Sequence, residues 1–116
     1  MKEIRFRGQR VDNNEWAYGD LFTDWEGRMY NHETIGQYTG LKDKSGKEIF
    51  EGDIYFDEGE SYWGSTYYIG PYKNYRVVEY NIDQAQFVAR HHCGSERIDT
   101  TKEIVGNIHE NPELLK

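Results

Sequence analysis

Apolar and charged side chains alternate along Ile4-Arg5-Phe6-Arg7, the two-residue period of a strand with one buried face. Asp12-Asn13-Asn14 breaks the pattern with turn chemistry, because Asn and Asp tolerate left-handed backbone. Trp16-Ala17-Tyr18 resumes it and carries it to Phe22, so the N-terminus predicts a β-hairpin. Glu26-Gly27, set between Trp25 and Met29-Tyr30, predicts a second tight turn. Residues 42–47 form a polar turn around Ser45-Gly46, and Ile49-Phe50 follows it. Ile54-Tyr55-Phe56 is the next strand, entered through a reversal at Glu51-Gly52-Asp53. Val77-Val78 marks a short buried run within residues 75–80. Residues 81–84 then turn the chain into Phe87-Val88, and Ile104-Val105-Gly106-Asn107-Ile108 is the last candidate. Residues 57–71 stand apart. They are rich in Gly, Tyr and acids and show no period, so they are expected to be the stretch least committed to a sheet.

Eight or so short strands with turns every few residues predict an all-β protein, a small antiparallel barrel or sandwich. Helix signals are thin. Twelve glycines weaken any long helix. Asn111-Pro112-Glu113 is a good helix start, with Asn as cap and Pro in the first position, but it supports one turn at best. With no linker, repeat or low-complexity tract, residues 1–116 read as a single compact domain.

Composition changes this picture in one respect. Only 36% of residues are hydrophobic, which alone suggests disorder, but three Trp, ten Tyr and five Phe argue for a folded core built from rings. A chain of 116 residues buries roughly 65% of its unfolded surface, enough for one core. No stretch of even ten apolar residues offers a transmembrane helix, and charges throughout residues 1–10 argue against a secretory signal. Fourteen bases against twenty-one acids give a net charge of −7, the wrong sign for a general nucleic-acid binder. The lone Cys93 leaves no internal disulfide and fits a reducing compartment, so a cytoplasmic location is expected.

One long run is distinctive: Gln37-Tyr38-Thr39-Gly40-Leu41-Lys42-Asp43-Lys44-Ser45-Gly46-Lys47-Glu48-Ile49-Phe50-Glu51-Gly52-Asp53-Ile54. It resembles the signature of the YopX family of small phage and prophage proteins. Lys2-Glu3-Ile4-Arg5-Phe6-Arg7 and the stretch from Val105-Gly106-Asn107-Ile108 through His109-Glu110-Asn111-Pro112-Glu113-Leu114-Leu115 look like that family's two ends. Residues 57–101 carry no alignable motif. The resemblance implies an SH3-like barrel over about residues 46–110, preceded by an N-terminal β-hairpin region over about 1–45 and followed by a short C-terminal tail. It also implies a viral or prophage origin and a bacterial host cell. It brings no activity, cofactor or catalytic residue. The residues themselves read as scaffold: Gly46 suits positive φ at a hairpin tip, and Tyr38 and Phe50 are expected to pack across the hairpin base. A binding loop using Lys42, Lys44 and Lys47 against an acidic partner is the alternative.

Candidate chemistry is sparse. Residues 40–47 miss the phosphate-binding loop pattern by one residue of spacing and by the hydroxyl after Lys47, where Glu48 stands instead. In His91-His92-Cys93, strand geometry would let His91 and Cys93 converge. A zinc site needs three or four ligands, however, and His32 and His109 are isolated in sequence. No nucleophile elbow or metalloprotease motif is present. No catalytic residue, metal site or cofactor is therefore expected. What remains is the ring-rich span, Tyr62-Trp63-Gly64-Ser65-Thr66-Tyr67-Tyr68 with Tyr72 and Tyr75. Its mixture of rings, Gly and Ser is that of adaptable binding surfaces. Asp57, Glu58 and Glu60 beside it disfavour nucleic acid. Three readings stand: core or self-association, a protein-partner surface of Tyr62, Trp63, Tyr67, Tyr68 and Tyr72, and a nucleic-acid platform. The expected function is a non-enzymatic protein-interaction accessory factor. A nucleic-acid-associated module or an acidic DNA-mimicking decoy is the alternative.

Overall fold

The N-terminal alternation becomes β1 (Phe6–Arg10), which pairs antiparallel with β2 (Trp16–Gly19) through a turn where Asn14 takes φ 60°. The computed structural model describes residues 5–19, 30–91 and 94–115. Ile4, the turn expected at Glu26-Gly27 with its neighbours Phe22, Trp25 and Met29, and the pair His92 and Cys93 lie outside the described residues. β3 (Tyr30–Lys42) is long enough to serve two partners. It pairs with β1 through Gln37 and Gly36, and with β4 (Glu48–Phe50) through Tyr38 and Lys42. These four strands make one sheet, in the order β2-β1-β3-β4.

The second sheet has five strands in the order β8-β7-β6-β5-β9. β5 (Asp53–Trp63) and β6 (Tyr67–Asn81) form its centre. β7 (Gln86–His91) and β8 (Gly94–Glu96) continue it on one side, and β9 (Ile104–Asn107) pairs with the start of β5 on the other. The change of sheet falls at Glu51 and Gly52. A 3-10 turn, Pro112–Leu115, follows β9 where the Asn-Pro start is expected. The protein is all-β, as the sequence predicts, and no helix among the described residues is long and apolar enough to cross a membrane.

The core lies where the sheets meet. Ile49 from β4 packs with Tyr55, Val78 and Ala89 of the second sheet, and Ile98 and Ile104 close its border. Ile54 and Val77, directly opposite each other, are also buried, so β5 and β6 are covered on both faces near their base. Tyr38 sits opposite Phe50 with ring centroids 5.4 Å apart, the expected packing across the hairpin base.

One expectation is overturned. Residues 57–71 belong to β5 and β6, which run as an antiparallel ribbon from Ile54↔Val77 to Trp63↔Tyr67. Among the described residues nothing pairs with the outer edges of 56–63 or 67–76. Period-2 hydrophobicity betrays a strand only when one face is buried, and here both faces meet solvent. The ribbon is an arm. It explains principal extents of 58 × 34 × 28 Å and a radius of gyration of 16.2 Å, against about 13 Å for an ordinary globule of this length. Nor are the strands uniformly short: β3, β5 and β6 run to 13, 11 and 15 residues.

Candidate functional site

The signature residues form the joint between the two sheets. Asp43 is buried at the start of the hairpin tip, where its Oδ1 accepts from Ser45 N (2.9 Å), Ser45 Oγ (2.8 Å) and Lys47 N (2.9 Å). Its Oδ2 accepts from Ile104 N on β9 (2.9 Å), which ties the tip to the other sheet. Burial pushes the Asp43 carboxyl up, but these hydrogen bonds outweigh it and hold the group below the ordinary carboxylate value. Gly46 turns the tip at φ 89° with open space around it. Thr39 Oγ1 donates to Ile49 O and accepts from Leu41 N, while Gly40 and Leu41 lie where the β3–β4 register shifts. Gln37 and Glu51 clasp twice: Gln37 N donates to Glu51 Oε1 (2.9 Å) and Glu51 N to Gln37 O (3.0 Å). Gly52, at φ 91°, donates to Val78 O (2.7 Å) and accepts from Ile108 N (2.9 Å), so the reversal bonds β6 and the C-terminal segment together.

Asp53 completes the joint. It is 1% exposed, accepts from Phe50 N on Oδ2 (2.8 Å), and meets Arg7 Nη2 on Oδ1 at 2.6 Å. Arg7 is itself buried, its guanidinium 4.9 Å from the Trp16 ring and 5.1 Å from Phe50. Burial raises the Asp53 carboxyl above its ordinary value, and Arg7 offsets this only in part. The C-terminal segment closes over the same place. His109 lies against Trp16 (6.0 Å), the Trp16 indole N–H donates to Glu110, and burial with the nearby Arg7 holds the His109 imidazole below its usual value. Sequence reading placed Asp53 in the signature but missed Arg7, because nothing local marks a partner 46 positions away.

A second polar network braces the base of the arm. Arg76 joins Asp57 (3.0 Å) and Glu96 (2.7 Å), and Lys102 approaches Asp57 at 3.7 Å. Tyr55 accepts from Asp99 N (3.1 Å), and burial pushes its phenol up to about 12. Tyr72, one of the expected surface residues, belongs here. It is half-buried over Gly59, donates to Asp57 (3.3 Å), and lies 5.8 Å from the Arg76 guanidinium.

The other expected surface residues are at the arm's tip. Tyr62, Trp63, Tyr67 and Tyr68 are 52, 77, 69 and 52% exposed, and Ile69, which the sequence reading did not single out, is 59% exposed. Tyr62 opposes Tyr68 edge-on at 5.5 Å, and Trp63 opposes Tyr67. Successive pairs in a ribbon point to opposite faces, so the tip carries rings on both. Tyr68 donates to Glu60 (2.5 Å), which raises the phenol's pKa. Residues 61–72 contain no charge in a chain where 30% of residues are charged. That charge gap was the legible signal for Ile69. The remaining candidates do not assemble. Among the described residues no three His, Cys, Asp or Glu gather as metal ligands, and His91 stands on β7 with its proposed companion Cys93 outside them.

No curated protein matches the chain. The family model described as YopX protein matches residues 2–116, which takes in β1, the 37–54 joint, the arm and the C-terminal turn. The joint that this signature builds, with Asp43 and Asp53 fastening one sheet to the other, is thus part of a whole-length match, and the chain belongs to the YopX family.

Proposed function

We propose that the chain is a non-enzymatic protein-interaction module that meets a protein partner through the tip of the β5–β6 arm, in the cytoplasm of a bacterial host and in a phage or prophage setting. One observation carries the reading: an uncharged cluster of Tyr62, Trp63, Tyr67, Tyr68 and Ile69 stands exposed at the end of a two-stranded arm. At about 150–250 Å² per aromatic side chain, the exposed fractions amount to ~600 Å² of ring and aliphatic surface. The ribbon divides it between its two faces, about 300 Å² on each, within the roughly 300–600 Å² of the largest and often functional patch on an ordinary monomer. Trp and Tyr are also the residues that dominate binding hot spots.

Nucleic acid is the weaker reading. A stacking platform needs a basic groove to track phosphates. The arm instead exposes Glu58 and Glu60 against Lys73, and its Arg76 is buried between carboxylates. An acidic decoy needs a long stripe of carboxylates, and the two that the arm exposes, Glu58 and Glu60, are too few.

The test is the double variant Trp63→Ala/Tyr68→Ala beside Ile82→Ala, an exposed control in the β6–β7 turn. Both are expected to melt close to the wild type, since exposed side chains contribute about 0.5 kcal/mol or less. The tip variant alone should lose a protein captured by the tagged wild type. Unchanged capture, or unfolding of the tip variant, refutes the reading.

A further inference from the structure

The arm carries a complementary feature at its other end. A groove of about 570 Å³ opens at its base, lined by Phe56, Tyr75, Leu114 and Leu115 together with Lys73 and Arg90. We infer that the tip of one copy seats in this groove of a second copy, reciprocally, so that two chains pair by exchanging arms. The inference rests on the reading of the tip as an interaction surface and names its partner.

Shape is the first argument. Rings on both faces of the tip are only half covered by a flat partner, whereas a groove covers both. The volume lies within the roughly 300–1,000 Å³ of sites that engulf organic groups. Placement is the second. Phe56↔Tyr75 is the register pair at the base and Trp63↔Tyr67 the one at the tip, seven positions apart, or about 23 Å along a strand. Two arms laid antiparallel about a two-fold axis bring each tip to the other's base, a closed and self-complementary contact.

Charge is the third argument. Copies of a chain at −7 repel, but residues 61–72, which enter the groove, carry no charge. At mid-arm, where the two-fold brings the exposed Glu58 and Glu60 of both copies together, Lys73 stands in register with Glu58 as the neighbouring cation. The rim offers cations, Lys73 and the Glu79-paired Arg90, to the electron-rich faces of Trp63 and Tyr67. Area is the fourth. Two tips of ~600 Å² and the two grooves they fill exceed the roughly 1,200 Å² at which stable interfaces begin. Pairing also covers a two-stranded ribbon that in isolation is marginal in water.

Sedimentation velocity on the full chain tests this. The wild type should be dimeric at about 100 µM, a concentration that reveals even weak association. The tip variant Trp63→Ala/Tyr67→Ala and the groove variant Lys73→Glu/Leu115→Glu should each dimerise at least tenfold more weakly, with wild-type circular dichroism. Mixing the two variants should restore a heterodimer, because one intact tip then meets one intact groove. A monomeric wild type whose tip variant still loses a captured protein overturns arm exchange and leaves the proposed function standing. A wild-type dimer that the tip variant does not weaken overturns the exchange, and unchanged protein capture by the same variant overturns the proposed function as well. A dimer that needs the tip but not the groove, or no heterodimer on mixing, overturns the exchange alone.

Discussion

Replacing Asp53 with Asn removes one charge from the pair that joins the two sheets and leaves its shape almost unchanged. Asn still offers an oxygen to Phe50 N, so the cost isolates the Arg7 guanidinium, now buried without its counter-ion. Breaking a buried pair by removing one partner costs at most about 3–5 kcal/mol, and the burial that raises the Asp53 carboxyl returns part of this, because a neutral side chain is easier to bury. A chain of 116 residues is stable by roughly 6–17 kcal/mol, so one atom's change removes a large share. Unfolding entropy near 0.24 kcal/mol/K converts that upper bound to about 12–20 °C in Tm. Arg7→Met keeps the stem between Trp16 and Phe50 and strands the carboxyl instead. That carboxyl is already raised by burial and can respond by taking a proton. Arg7→Met should therefore cost less at pH 4 than at pH 7. The double variant Arg7→Met/Asp53→Asn should recover part of the loss, because a buried pair is worth little against a neutral replacement of similar shape. Urea unfolding of the four proteins closes the cycle, with an expected coupling of about 2 kcal/mol or more. Additive losses, or a cost below about 1 kcal/mol for Arg7→Met at pH 7, would show that Arg7 and Asp53 are not a desolvated pair.

Gly46→Ala and Gly52→Ala each place a Cβ at φ near 90° without a serious clash, so each should lose about 1–2 kcal/mol by urea unfolding through backbone strain alone. Neutral results at both would assign the signature to contact rather than to chain reversal. Asp43 is held below the ordinary carboxylate value in the folded state, so its contribution is present above pH about 4 and is lost as pH falls through the lowered value. Asp43→Asn should destabilise clearly at pH 6 and much less at pH 2.5, flattening the acid limb of a Tm-against-pH curve. An equal cost at both values refutes the charge-based account.

The sequence by itself determined the strands that feed the core. Ile49-Phe50 and Phe87-Val88 announce themselves as short apolar runs between turns, and Ile49 and Phe50 are both buried. In β1 the alternation marked a strand but not its inner face, since Arg7 is buried and Phe6 only half-buried. The sequence determined the reversals at Asn14, Gly46 and Gly52, because left-handed backbone restricts residue type locally. It also marked the rings later found exposed at 62–68, since composition needs no partner to be legible. Only the tertiary structure decided what those rings are attached to. The arm has no buried face to impress a period on residues 57–71, so its strand character follows from register with β6 and not from pattern. The pairing of Arg7 with Asp53, the reach of Asp43 to Ile104, and the groove uniting Phe56, Arg90 and Leu114 link positions 24 to 61 apart in the chain. Such contacts depend on how two sheets are laid together, and a pairwise interaction between distant residues leaves no trace in the local order of either.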